Sequence, residues 1–322
     1  MGQVKALRQA GTIKKIGYKK NEKMNFLPGR DIPIYLLLAP AVILLLIFHY
    51  IPIYGIVMGF QNYSPFKGVM KSEWVGLYHF KKFLTDASYW RVMKNTVIIN
   101  IYSLIFAFPA PIVFALLLNE ITNMKFKRTV QTISYLPYFI SWVVTAGLVI
   151  SILSPTTGVV NIALNKIFGI QPIYFMIKKE YFRTILICSG IWKGIGMSSI
   201  YYLATISNID PTLYEAATID GANKWRQTWH ITLPGLYSII TVLLLLQIGS
   251  LLSIGFEQIF LLYNPMVYEV ADVISTYTYR LGIEETQFSA TTAIGFTQSV
   301  VNFILLYIAN KIARNIAGWS VW

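Results

Sequence analysis

The chain has 322 residues, 55% hydrophobic and 13% charged, against roughly 25% charged in a soluble domain. This balance excludes an ordinary water-soluble enzyme or binding domain and puts the chain in a bilayer. The net charge of +13 sits in a tail and in loops beside apolar runs, a topology pattern rather than a nucleic-acid patch, so lipid and not nucleic acid is the expected contact.

Residues 1–30 carry Lys5, Arg8, Lys14, Lys15, Lys19, Lys20, Lys23 and Arg30 against only Glu22, and no small-residue cleavage site follows the first apolar run. The segment therefore reads as a basic cytoplasmic tail rather than a signal peptide. Residues 31–322 form one transmembrane domain. In it, six apolar runs at 33–59, 96–118, 131–153, 183–206, 235–256 and 289–310 are each long enough to cross about 30 Å of hydrocarbon. The expected fold is an all-α membrane protein of six transmembrane helices, and the even number returns the C-terminus to the cytoplasm. Lys67, Lys71, Lys81, Lys82, Arg91 and Lys94, in the first outside segment, weigh against this orientation, and the tail outweighs them.

In that outside segment Trp74, Phe80, Phe83, Tyr89 and Trp90 are spaced like an amphipathic helix lying at the interface. Pro40 and Pro52 in the first span, and Pro109 and Pro111 in the second, should kink their helices. The fourth span holds Trp192-Lys193-Gly194 and Met197. The Gly190/Gly194 spacing suits close helix packing. Lys193 lies about ten residues into the run, where snorkelling is strained, and a buried ammonium is costly. We read it as facing a cavity, with Trp192, Gly194 and Met197 as neighbours.

Between the fourth and fifth spans, residues 207–234 form a mostly polar island. Asp210-Pro211 supplies an N-cap and a first-turn proline, and Gly221 after Asp220 can close the helix in the left-handed conformation. A second short helix should follow from Ala222, and Pro234 marks the start of the next span. The expected unit is a helix-turn-helix knob in which Ala216 and Ala217 allow a close partner and Glu215 offers a carboxylate. A lone Glu-Ala-Ala is more often an ordinary cytoplasmic loop at the membrane surface. The fifth span ends in a polar and aromatic stripe, Gln247 to Gln258, containing Ser250, Ser253, Ile254 and Phe256. Such a stripe suits sugar binding, the aromatic face stacking while hydroxyls take hydrogen bonds, or else a neighbouring membrane subunit.

The pattern Glu215-Ala216-Ala217, Gly221, Ile231-Thr232-Leu233-Pro234 resembles the signature loop of permease subunits of bacterial ABC importers. Tyr214 before it and Asp220-Gly221-Ala222 within it are similar to the carbohydrate-importing branch, as is Asn95-Thr96 after the interfacial segment. The run Gly255 to Pro265, continuing through Asp272 to Tyr277 and Tyr279-Arg280, resembles permeases for complex or acidic oligosaccharides. The likeness extends from about residue 30 to Trp322.

The resemblance implies alternating access driven by separate ATPase subunits. A cytoplasmic coupling loop would dock on an ATPase dimer through Tyr214, Glu215, Ala216, Ala217, Asp220, Gly221, Ala222, Leu233 and Pro234. A second homologous permease would complete a heterodimer, an extracytoplasmic sugar-binding protein would deliver substrate, and sugar contacts would come from the fourth and fifth spans. No phosphate-binding Gly-x-x-x-x-Gly-Lys motif and no nucleophile-base arrangement occurs, so the chain is not expected to be an enzyme, and ATP and magnesium would sit on the partner. His49, His79, His230 and Cys188 are scattered, so no metal site is expected. A secondary transporter would need an ion site and usually detectable repeats, neither of which the sequence displays. A plain membrane anchor would leave the polar fifth span unexplained.

Overall fold

The structure, a computed structural model, describes residues 28–253 and 255–317. The basic tail up to residue 27, Ile254 and Trp322 lie outside the described residues. The chain divides into two units, residues 1–54 and 55–322. In the first, helix α1 (Pro28–Leu45) carries Pro33 and Pro40 in its interior. It widens into a π-turn, Leu46–Tyr50, closed by the Ile51 N–H on the Leu46 carbonyl, just before Pro52, which has no N–H to continue the ladder.

In the second unit, two-residue strands β1 (Gln61–Asn62) and β2 (Glu73–Trp74) pair antiparallel, Gln61 opposite Trp74, a small addition to the expected all-α fold. Helix α2 (Tyr78–Thr85) follows. Its Phe83 is buried, with its ring 4.7 Å from that of buried Tyr89. Part of the expected interfacial aromatic face therefore packs inward. Helix α3 (Ala87–Tyr102) starts where Asp86 accepts from the Ser88 N–H at 2.8 Å. A π-turn at Ser103–Ala107 then precedes α4 (Pro109–Glu120), whose first residue cannot donate.

Asn123 caps α5 (Met124–Tyr135) by accepting from Lys125 and Phe126. Pro137, in the short 3₁₀ segment Leu136–Phe139, ends that run, and Ser141 caps a new helix, α6 (Trp142–Ile152). The expected third span is therefore two helices meeting at 106°. After α7 (Val159–Phe168) comes the long α8 (Lys179–Ile206), 28 residues or about 42 Å. The polar segment holds α9 (Pro211–Ile219) and α10 (Lys224–Gln227), and α11 (Tyr237–Gly249) follows a further bend of 57°. Helices α12 (Phe256–Leu262) and α13 (Ile274–Tyr279) lead to α14 (Phe288–Ala317).

By length and apolarity, Ile32–Phe60, Ala87–Glu120 and Phe288–Asn315 suffice to cross a membrane, and the two bent pairs raise the number to five among the described residues. Helix α8 is long enough and is not among them. Its Arg183, Ser189, Lys193 and Ser198 dilute the apolar run.

Helix α8 packs on α4 and α5. Its two ends belong to different cores. Phe182 and Leu186 join Ile99, Ile259 and Val273, whereas Tyr202 and Ile206 join Ala115 and Leu236. One face of the turns between, with Gly190, Gly194 and Ser198, is left to line open space.

Candidate functional site

Two cavities meet along α8. One, about 310 Å³, is lined by Pro111, Gly190, Gly194, Ser198, Tyr201 and Gln247 among others. The second, about 230 Å³, is lined by Asn100, Ser103, Gly190, Gln247, Ser250, Ser253, Gly255 and Gln258 among others. They share Ala107, Gly190 and Gln247 and so form one polar tract. Exposed polar groups between apolar helices suit a hydrated path or a ligand rich in hydroxyls.

The tract exists because the chain unwinds between α11 and α12. Residues 250–253 and Gly255 are non-helical, and irregular backbone at membrane depth persists only where it lines a cavity or is satisfied by protein. Here α14 supplies the partners. Asn302 accepts from the Leu252 N–H at 3.0 Å and donates to the Ser253 hydroxyl at 3.1 Å, and the Gln298 amide donates to the Leu252 carbonyl. On the opposite wall, Gln258 donates to the Leu186 carbonyl at 2.6 Å and to the Ser189 hydroxyl at 3.1 Å, and Gln247 reaches the Ser103 hydroxyl at 3.4 Å. The polar stripe pointed to Gln247 and Gln258. Nothing local pointed to Gln298 or Asn302.

The pathway residues expected from sequence separate. Gly194, Ser250 and Ser253 line the tract. Lys193 is buried and turned away, its ammonium donating to the carbonyls of Pro137 at 3.1 Å, Tyr138 at 3.2 Å and Ile140, and lying 5.3 Å from the centre of the Trp142 ring. It satisfies the acceptors freed where α5 breaks. Trp192 faces an outer apolar groove with Leu148, Ile152 and Cys188. Met197 is half-buried and lines neither cavity. Phe256 stacks on Phe260 at 4.8 Å instead of facing the tract. Ile254 lies outside the described residues.

The glycines also exchange roles. A methyl group at Gly194 would meet nothing within 4 Å, and at Gly190 only the Gln258 side chain at 3.5 Å. Close packing falls instead at Gly196, where a methyl would meet the Ser134 carbonyl oxygen at 2.1 Å.

In the polar segment Asp210 accepts from the Thr212 N–H at 2.9 Å, and that bond holds its carboxyl below the ordinary carboxylate range. Helix α9 closes through left-handed Gly221 (φ +76°), with the Ala222 N–H on the Ala217 carbonyl at 2.8 Å. Asn223 caps α10 through the Arg226 N–H. Buried Gln227 donates to the Thr218 hydroxyl at 2.9 Å and to the Ala222 carbonyl at 3.1 Å, tying the two helices together. Tyr214 and Thr232 share a hydrogen bond of 2.9 Å. Glu215, Ala216, Asp220 and Pro234 are exposed, and Ala217, Ala222 and Leu233 half-buried. Ile219 is 87% and Trp225 73% exposed on this polar unit, an apolar surface that suits a protein contact. Among the described residues no group of three or more His, Cys, Asp or Glu converges on a metal-sized space.

Comparison with known proteins bears directly on these features. Residues 107–318, which include α8, the polar segment and the unwound turn, match the family described as binding-protein-dependent transport system inner membrane component. The chain belongs to this family. It is 42% identical to the polygalacturonan/rhamnogalacturonan transport system permease protein YteP of Bacillus subtilis over 316 residues, 98% of each chain. It is 44% identical to a chain in the crystal structure of a bacterial ABC transporter involved in the import of the acidic polysaccharide alginate (TM-score 0.82, 89% of this chain and 97% of that one). A second structure of the alginate transporter, in complex with alginate pentasaccharide-bound periplasmic protein, matches with TM-score 0.84 at 44% identity over 91% and 98% of the two chains. The polar tract therefore lies in a binding-protein-dependent inner membrane transport component.

Proposed function

We propose that this chain is a permease subunit of an ATP-driven importer of carbohydrate, and that the joined tract from Tyr201 to Gln258 is its half of the translocation path. The observation that carries this reading is the unwound turn at Ser250 to Gly255, which puts hydroxyls and amides into a cavity between membrane helices. Sugar hydroxyls both donate and accept, as do Ser250, Ser253, Gln247 and Asn100. Relatives that import polygalacturonan or alginate support an acidic oligosaccharide as the substrate class.

In this reading six spans, including α8, leave both termini in the cytoplasm, and residues 207–234 form the cytoplasmic contact with an ATPase. Its exposed Leu213, Ile219 and Trp225 support that role, as does the rigid turn at Gly221. ATP and magnesium belong to the partner ATPase dimer. A second permease completes the path, and an extracytoplasmic binding protein delivers the sugar. Purification of the tagged chain in mild detergent tests the proposal. Two ATPase copies and a second permease should accompany it, and proteoliposomes holding that complex with its binding protein should take up oligogalacturonate only with ATP. Uptake without ATP, or driven by an ion gradient, overturns it.

A further inference from the structure

A second polar hollow lies away from the translocation tract. Helix α8 runs between two ends of the unit: its last turn leads into residues 207–234, while Lys179 in its first turn pairs with Glu269. At the Glu269 end, two cavities of about 650 and 610 Å³ share His79, Lys82, Gln287 and Ala290. Tyr63, Tyr78, Asn62 and Ser289 line one, and Asp86, Arg91, Arg280 and Glu285 line the other, among further residues.

Of the charges there, Arg280 is paired, while Asp86 and Glu285 are hydrogen-bonded to neutral groups. Arg280 pairs with Asp272 at 2.6 Å. Asp86 accepts from the Ser88 N–H at 2.8 Å and the Tyr277 hydroxyl at 3.0 Å, and Glu285 accepts from Gln287 at 2.9 Å. Lys82 and Arg91 are in no ion pair within 4 Å among the described residues, although Arg91 is near enough to Asp86 and Glu269 to help hold their carboxyls below the ordinary range. His79 is held through a hydrogen bond with the Gln61 backbone, and its Nε2 is buried with no partner. Such a group is a local cost to stability. The rim also includes Thr286 at φ +55°, the one non-glycine residue with positive φ among those described. Backbone held in that region is costly and gathers at binding sites.

We infer that this hollow is a second carbohydrate site, taking a carboxylate-bearing sugar unit with its carboxylate on Lys82 and Arg91 and its apolar face on Tyr78. The inference rests on the carbohydrate reading above and adds a place where an acidic chain is held before it enters the tract. Its geometry uses two cations and an exposed aromatic plane, groups that recognise a uronate.

Protection of a thiol in the hollow tests it. In the full chain with Cys188→Ala, Gln287→Cys places one at the junction of the two cavities. Trigalacturonate should slow its reaction with an impermeant maleimide about fivefold, and maltotriose by less than about twofold, because only the former brings carboxylates to the cations. Lys82→Met should abolish the protection and Lys82→Arg retain it, which separates lost recognition from misfolding. Absent protection, equal protection by both sugars, or protection surviving Lys82→Met overturns the site. Protection by the sugar-free binding protein alone assigns the hollow to protein docking and equally overturns it. Uptake of trigalacturonate by the complete transporter with an unprotected thiol defeats this site alone. Failure of the transporter to take up any oligosaccharide defeats the carbohydrate reading itself.

Discussion

The ammonium of Lys193 lies 3.1 Å from the carbonyl oxygen of Pro137, in the break between α5 and α6. A proline that ends a helix leaves carbonyls without donors, and the lysine supplies them. Lys193→Met removes a charged donor from three acceptors at once and should cost about 3 kcal/mol. The purified variant should unfold several degrees lower, and uptake of neutral and acidic sugars should fall together. A loss confined to acidic sugars at unchanged stability would put the ammonium in the translocation path instead.

Gly196 and Gly194 lie one half-turn apart and should respond in opposite ways. Gly196→Ala drives a methyl against the Ser134 carbonyl, 2.1 Å away, and α5 must shift to admit it. Overpacking of this kind costs about 1–3 kcal/mol. Gly194→Ala meets open space. It should leave the melting temperature unchanged while narrowing the tract, which uptake assays would register as a greater loss for bulky oligosaccharides. Equal destabilisation by both changes would contradict this assignment.

Gly221→Pro should uncouple the chain from its ATPase. Proline fixes φ near −65°, far from the +76° found here, and it removes the N–H that donates to Thr218 at 3.1 Å. Membrane levels of the variant should match wild type, while ATPase co-purification and uptake are lost. Wild-type values of both would end the proposed docking role.

Topology can be read by labelling. With Cys188 replaced, Ser64→Cys should react with an impermeant reagent in intact cells, and Asn315→Cys should react only after permeabilisation. The reverse pattern inverts the orientation.

Features fixed by neighbouring residues were legible in the sequence. Asp210, Pro211 and Gly221 define α9 within a dozen residues: Asp210 and Gly221 act through bonds to nearby backbone groups, and Pro211 through its fixed φ at the first turn. Long-range features were not. The polar stripe at Ser250 and Ser253 was evident, yet the unwinding depends on Asn302 and Gln298, nearly fifty residues later. The cost of burying Lys193 was also evident, and it suggested a hydrated cavity because the carbonyls that receive it belong to a distant break. The 106° bend itself escaped notice because apolarity continues straight through Pro137. Among the glycines, spacing favoured Gly190 and Gly194 for close packing, while the neighbour that decides the matter, Ser134, lies on another helix.

The two bonds from Asn302 and the two from Gln298 make the unwound turn mechanically part of α14. Both side chains project from a single 30-residue helix, and Gly249 at the end of α11 packs against Leu306 of the same helix, so a tilt or slide of α14 would carry Ser253 with it. In an alternating-access cycle the hydroxyl facing the sugar would then move on the last helix rather than on the one that precedes it in the chain. Force arriving along α14 would reach that hydroxyl directly through the Asn302 and Gln298 amides.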